Sequence, residues 1–384
     1  MPVWVGYVLF FLAILVVVLV HESGHFVFAK AFGIKVEEFF VGFGPRLWSI
    51  RRGETEYGLK ALPFGGYVRI AGMNPFQPPT REEYPRTFGA KPAWQRATVI
   101  AAGPITHFVM AILFLTLFFT AIGVQTRFVP TVEGVEPTLD GKPSPAATVG
   151  LRSGDVIVAV DGAAIRPTDQ PDLTGNDFRD YTQAHVGQPI EVTVRRGGRT
   201  LTLRATPVLS KVDGKEVGRL GILLGARSTA RDRVDPATAL GRGVIQTGQT
   251  TKDVVLQLGH VFGPAALKRL GQLVLGSAQR RVTDPTSIIG AGQLAGEAVR
   301  AGAWDFLFGL LVVFNVFVGI LNLVPLPPLD GGHLAVLAYE KVRRHRPDPR
   351  KLIPLTTVVA GFIILYAVAV SYLDIVKPLP SPFR

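Results

Sequence analysis

Four stretches of this chain are long and apolar enough to cross a hydrocarbon core as helices, and none contains Asp, Glu, Lys or Arg: 3–20, 97–124, 306–329 and 352–373. A helix needs about 20 apolar residues to span a bilayer. In lipid every backbone polar group must be satisfied within its own segment, which leaves helices as the form for such runs. The expectation is a polytopic α-helical membrane protein with about four transmembrane helices. Composition agrees, with 48% hydrophobic and only 18% charged residues in 384. The first run lacks a basic start and a small-residue cleavage site and leads straight into a polar motif, so it is read as a span rather than a signal peptide.

A net charge of +12 raises nucleic acid as a partner, but no aromatic-basic interleaving accompanies it, and nucleic acid is set aside. The charge fits cytoplasmic loops instead. Lys35, Arg46, Arg51, Arg52, Lys60, Arg69, Arg81, Arg86 and Lys91 lie between the first two runs. Lys341, Arg343, Arg344, Arg346, Arg350 and Lys351 follow the third. Both segments are expected to face the cytoplasm, with the N-terminus, the long 125–303 segment and the C-terminal tail outside.

The expected organisation has four parts. Residues 1–124 and 304–384 form the two halves of a membrane core. Residues 125–208 form a small extracytoplasmic β-rich domain, where Gly197-Gly198 makes a hairpin turn between alternating strands at 190–195 and 200–205. Residues 209–303 read as a helical connector packed on the protein, or else as a helix lying on the outer membrane surface.

The chemistry begins at His21-Glu22-Ser23-Gly24-His25, directly after the first run. On a helix, His21 and His25 share one face and can reach one zinc ion, with Glu22 alongside as the base toward the attacking water. Ionisable groups at the end of a span are functional by default. With no cysteine in the chain, the metal must use His, Asp or Glu. A hydrolytic zinc takes three protein ligands, and Asp330, at the end of the third run, is the candidate for the third. Spans one and three must run in the same direction, so their polar ends arrive at the same face of the membrane. Pro325 and Pro327 break the third helix just before that carboxylate, and broken backbone at this depth lines protein or a watery cavity. Asn322 could hold an extended substrate or bond to another helix. His333 has the same ambiguity between ligand and supporting residue. His107, in the second run, reads as a proton shuttle or substrate contact, or equally as a neutral residue bonded between helices. Residues 59–70, with Pro63, Gly65 and Gly66, read as a membrane-associated β-hairpin or loop with an edge for an extended peptide.

At this point the sequence resembles the site-2 protease family of zinc intramembrane metalloproteases, in a PDZ-containing bacterial branch and, over 41–58, its actinobacterial members. The resemblance rests on HESGH at 21–25, GP at 103–104, GGY at 65–67, NLVPLPPLDGG at 322–332 and the 41–58 stretch. The SPA and GLRSGDVI motifs within 144–157 resemble a PDZ domain. The resemblance implies Zn2+ held by His21, His25 and Asp330, and Glu22 as catalytic base. It implies substrate held by Asn322, Pro325 and Pro327 and received as an added strand near Gly65 and Gly66. It also implies the bacterial cytoplasmic membrane, with the active site near its cytoplasmic side. The implied substrates are single-pass membrane proteins, such as anti-sigma factors, already shortened outside by an upstream site-1-type protease, in regulated intramembrane proteolysis. The family commonly has Asn where His107 stands. A membrane scaffold with a structural zinc, which usually has four ligands and no base, and a metal transporter, with ionisable groups near the midplane of several spans, fit the motifs less well.

Overall fold

The computed structural model describes residues 2–74, 79–212, 215–281, 284–345, 347–381 and 383, so Arg346 falls outside it. The first part of the chain forms α1 (Val3–Ala31), β1 (Val36–Arg52), β2 (Thr55–Ile70) and α2 (Ala93–Ala121). Then come β3 (Val124–Val135), β4 (Thr138–Leu139), β5 (Lys142–Pro143), α3 (Pro145–Thr148), β6 (Val156–Val160), β7 (Ala163–Ala164) and α4 (Asn176–Ala184). They are followed by β8 (Ile190–Arg196), β9 (Arg199–Ala205), β10 (Val208–Val212), β11 (Lys215–Arg219) and β12 (Ile222–Asp232). The remainder is helical: α5 (Pro236–Val261), α6 (Pro264–Val274), α7 (Ile288–Ala301), α8 (Trp304–Leu323), α9 (Asp330–Arg343) and α10 (Pro349–Val376). Two compact units result, one of Met1–Thr116 with Leu240–Arg384, the other of Leu117–Ala239.

In the first unit, α1, α2, α8 and α10 are long and apolar enough to cross a membrane, and they coincide with the four apolar runs. Prolines end α8: Val324 is extended at ψ 130, as a residue before proline must be, and prolines 325, 327 and 328 bring no N–H to continue the helix. Helix resumes at Asp330. Gly331 makes the sharp return possible, because a Cβ there would stand 2.3 Å from the carbonyl oxygens of Leu323 and Val324. Arg96 then clamps α9 to the start of α2 through a two-pronged pair with Glu340 at 2.8 and 2.9 Å.

The β structure after α1 is larger than the expected loop at 59–70. That segment is not a hairpin by itself; it belongs to β2, and the chain reverses earlier, at 53–54, where Arg52 pairs with Thr55. Residues 38–41 take partners on both sides, 66–69 on one and 56–59 on the other. The two long strands are thus folded back on themselves, with Pro63 and Gly65 absorbed as irregularities. Short-range turn signals could not foresee this, because the central ladder joins residues about one hairpin apart.

The segment expected as a helical connector at 209–303 divides. Its β strands belong with the second unit, while α5, α6 and α7 belong to the first. Phe262 packs on Phe362 and Tyr366, halfway along α10, and Lys377 donates to the Leu273 carbonyl at 3.0 Å. Helix α6 therefore lies along the second half of α10. Asp374, fully buried at the end of α10, accepts from the N–H groups of Ser287 (2.7 Å) and Gly290 (3.2 Å) at the start of α7 and from Arg280 (2.5 Å). A buried charge needs such partners, and here they pin α7 to α10.

The second unit is built on a sheet of order β12-β3-β6-β8-β9. Alternation is clean in β8, where Ile190, Val192 and Val194 are buried and Glu191 and Arg195 are not. They join Val132, Ile157, Phe178 and Leu220 in one core. Gly197 and Gly198 both have positive φ, 53 and 83, as the expected two-residue turn requires. The sheet continues past residue 208, since β12 pairs with β3 from Ile222↔Val135 to Asp232↔Val124. A distant strand pairing of this kind has no local sequence signal.

Asp155 is fully buried in this unit. Arg196 donates to it through Nε and Nη2 at 2.6 Å each, and the Arg152 N–H at 2.9 Å. Burial alone would raise its pKa, but these donors hold it below the ordinary carboxylate value. A depressed folded pKa stabilises the fold fully above the unfolded value of about 3.9, and that contribution is lost as pH falls through the folded value. Asp155→Ala is expected to cost the second unit about 1–3 kcal/mol at neutral pH and to remove this acid-labile part. Amide protection at Val192 and Val194 in the full chain, taken relative to an unstructured chain at the same pH, reads both effects; equal protection in parent and variant at pH 7 would disprove the first, and protection in the parent unchanged from pH 7 down to pH 3 the second.

Candidate metal centre

His21 and His25 lie within the last three turns of α1, four residues apart and so on one face. Asp330 opens α9 just beyond the break after α8. The two Nε2 atoms lie 3.3 Å apart, and each is 3.3 Å from Asp330 Oδ2. Zinc with bonds of about 2.0–2.1 Å to nitrogen and carboxylate oxygen places neighbouring tetrahedral donors ~3.3 Å apart. The Asp330 oxygen is buried and has no hydrogen-bond partner among the described residues, an arrangement costly for a carboxylate unless a cation faces it. Donor chemistry, spacing and the orphaned oxygen all fit zinc. This is the group of His, Asp and Glu among the described residues whose donor atoms converge on one point.

Close packing of α1 on α2 builds this pocket. A Cβ at Gly103 would stand 2.2 Å from His25 Nε2 and 2.9 Å from His21 Cε1, and one at Gly24 would stand 2.7 Å from the Ala102 carbonyl oxygen. Each imidazole is held from behind. His25 Nδ1 bonds to the Val99 carbonyl at 2.8 Å, and His21 Nδ1 meets His107 Nε2 at 3.1 Å. His107 in turn bonds to Asn315 Oδ1 through Nδ1 at 2.7 Å, and Asn315 Nδ2 donates to the His107 carbonyl at 2.6 Å. His107 and Asn315 are 1% and 0% exposed, so no solvent competes for these bonds.

The other expected residues fall at varying distances from the centre. Glu22 is half-buried, and Gly66 of β2 lies against it, with a Cβ position 3.3 Å from Glu22 Cγ. Gly65 faces the ring of Phe43 instead. Asn322 is half-buried on the last turn of α8, Pro325 is exposed and Pro327 half-buried. The helix-to-helix bond considered for Asn322 is made by Asn315, two turns earlier on α8. His333 is exposed and stands outside the converging group. Asn315 and the Val99 carbonyl were not foreseen. A second Asn inside the third apolar run was the available signal for the first; a backbone carbonyl gives none.

A family model described as Peptidase family M50 matches residues 9–367. The zinc metalloprotease Rip1 of Mycolicibacterium smegmatis is 34% identical over 415 residues, covering 98% of each chain. Rip1 of Mycobacterium tuberculosis is 32% identical over 411 residues, covering 97% of this chain and 98% of its own. Metalloprotease MmpA of Caulobacter vibrioides is 32% identical over 362 residues, 86% of this chain and 85% of its own. Among solved structures, the PDZ domain of the SdrC-like protein from Listeria monocytogenes covers 25% of this chain and 86% of its own, at 26% identity and a TM-score of 0.20, a likeness too slight to argue from.

Proposed function

The chain belongs to peptidase family M50, the site-2 protease family, and is a multi-pass zinc metalloendopeptidase, and we propose that it cuts single-pass membrane proteins within or beside the bilayer. The convergence of His21, His25 and Asp330 donor atoms at 3.3 Å, with Glu22 adjacent in sequence, carries this reading. His21, His25 and Asp330 hold the zinc. When bound, zinc supplies Lewis acidity to the attacking water and the scissile carbonyl. Glu22 takes a proton from that water and returns it to the leaving amine.

A substrate helix keeps its carbonyls in internal hydrogen bonds, so it must unwind before hydrolysis, and helix-breaking residues should favour cutting. Asn322 and the Pro325–Pro327 turn hold the unwound stretch, while the strand at Gly65 and Gly66 receives it as an added strand. An apolar groove of about 610 Å3, lined by residues that include Val20, Ala101, Ile105 and Val109, offers apolar side chains a surface beside α1 and α2. Exposed Phe43, Leu47 and Trp48 on β1 favour contact of that sheet with lipid.

The same reading places the chain in a bacterial cytoplasmic membrane, with the metal centre toward the cytoplasm and the β-rich unit, as a PDZ-like filter or reader of new C-termini, outside. Substrates are then anti-sigma-factor-like proteins already trimmed by an upstream protease, and cleavage transmits a signal across the membrane.

Co-expression with a tagged single-pass anti-sigma factor, full-length or truncated outside, tests this. The truncated form is expected to yield a shorter tagged fragment and the full-length form at least several-fold less. Equal cutting of both would remove the need for prior trimming, and cutting that survives zinc chelation would remove the mechanism.

A further inference from the structure

The geometry points to His107 as the positioning residue that fixes the tautomer of His21 and thereby aims its Nε2 lone pair at the metal. The inference rests on the zinc site proposed above and assigns a task to a buried residue which that mechanism leaves unused.

The argument is a chain of donors and acceptors. Asn315 Nδ2 lies 2.6 Å from the His107 carbonyl, which only accepts, so the amide nitrogen faces it and Oδ1 faces the His107 ring. An amide oxygen also only accepts, so His107 Nδ1 carries the proton and donates at 2.7 Å. In a neutral imidazole the other nitrogen then bears a lone pair, and His107 Nε2 accepts from His21 Nδ1 at 3.1 Å. With its proton on Nδ1, His21 presents an unprotonated Nε2 toward His25 and Asp330. His25 reaches the same state through the Val99 carbonyl. A metal-binding histidine needs such a partner on its other nitrogen to fix ring and tautomer. One of the two partners here is backbone; the other is a side chain that substitution can remove.

Zinc retention by the full chain in detergent, titrated against a chromophoric chelator, gives a readout independent of proteolysis. His107→Ala is expected to weaken zinc retention about 10–100-fold. His107→Gln, whose side-chain oxygen can accept from His21 Nδ1, is expected to stay within a few-fold of the parent. Asn315→Ala frees the His107 tautomer and should give a smaller loss, and the double Ala variant should be no weaker than His107→Ala alone. Unfolding midpoints of the metal-stripped chains are measured beside these. A lowered midpoint with unchanged zinc retention in His107→Ala would reduce His107 to helix packing and overturn the proposal. So would a Gln variant as weak as the Ala variant. If His107→Ala does not fold, the Gln variant set against an apolar His107→Phe decides by the same criterion. A parent chain that retains no zinc would overturn the metal centre itself, an outcome distinct from any of these.

Discussion

Glu22→Gln is expected to cut the rate of substrate cleavage by about 10²–10⁴-fold, the usual contribution of a positioned base, while zinc stays bound. Gln has nearly the shape of Glu, leaves both histidines in place and cannot accept a proton. The half-buried side chain has Gly66 packed beside it, so the substitution neither opens a cavity nor adds bulk. Following fragment size in cells that express the chain with a truncated single-pass substrate measures the loss, and chelator titration confirms that the metal remains. Equal cleavage by parent and variant would sink Glu22 as the base and trace the activity to another protease.

The second large effect is expected from a residue that ligates nothing. Gly103→Ala places a methyl group 2.2 Å from the donor nitrogen of His25 and 2.9 Å from the His21 ring, well inside van der Waals contact. Either both imidazoles swing away or α2 withdraws from α1, and both outcomes spoil a triangle with 3.3 Å edges. Zinc retention should fall by more than the ~10–100-fold typical of losing an outer hydrogen-bond partner. Alanine is the better helix former by about 1 kcal/mol, so a weaker helix cannot account for the loss. Zinc bound as tightly as in the parent would mean that the two helices do not approach so closely.

These expectations differ in how much of them was already written in the sequence. Local periodicity carried a good deal: the four apolar runs became α1, α2, α8 and α10, and the Gly197-Gly198 turn joined β8 to β9. The spacing of His21 and His25 put them on one face, because four residues make just over one helical turn. Even Asp330, more than 300 positions away, was within reach, since parallel spans bring their ends to one side of a membrane. A bilayer reduces the arrangement of helices to a choice of up or down, which is why two distant polar motifs could be paired from sequence.

Packing partners were another matter. The carbonyl of Val99 behind His25, Asn315 behind His107, the buried Asp374 that pins α7 and the strand β12 that extends the sheet all depend on contacts between distant segments. Nothing in the residues around His107 names Asn315 as its partner, and only the approach of α8 brings the two together. The sequence by itself determined which helices are long and apolar enough to span and which donors a metal could use, because these follow from repeats of a few residues and from the cost of polar groups in lipid. The tertiary structure alone decided which partner stands behind each histidine, because that depends on whichever group the neighbouring backbone or helix brings within 3 Å or so.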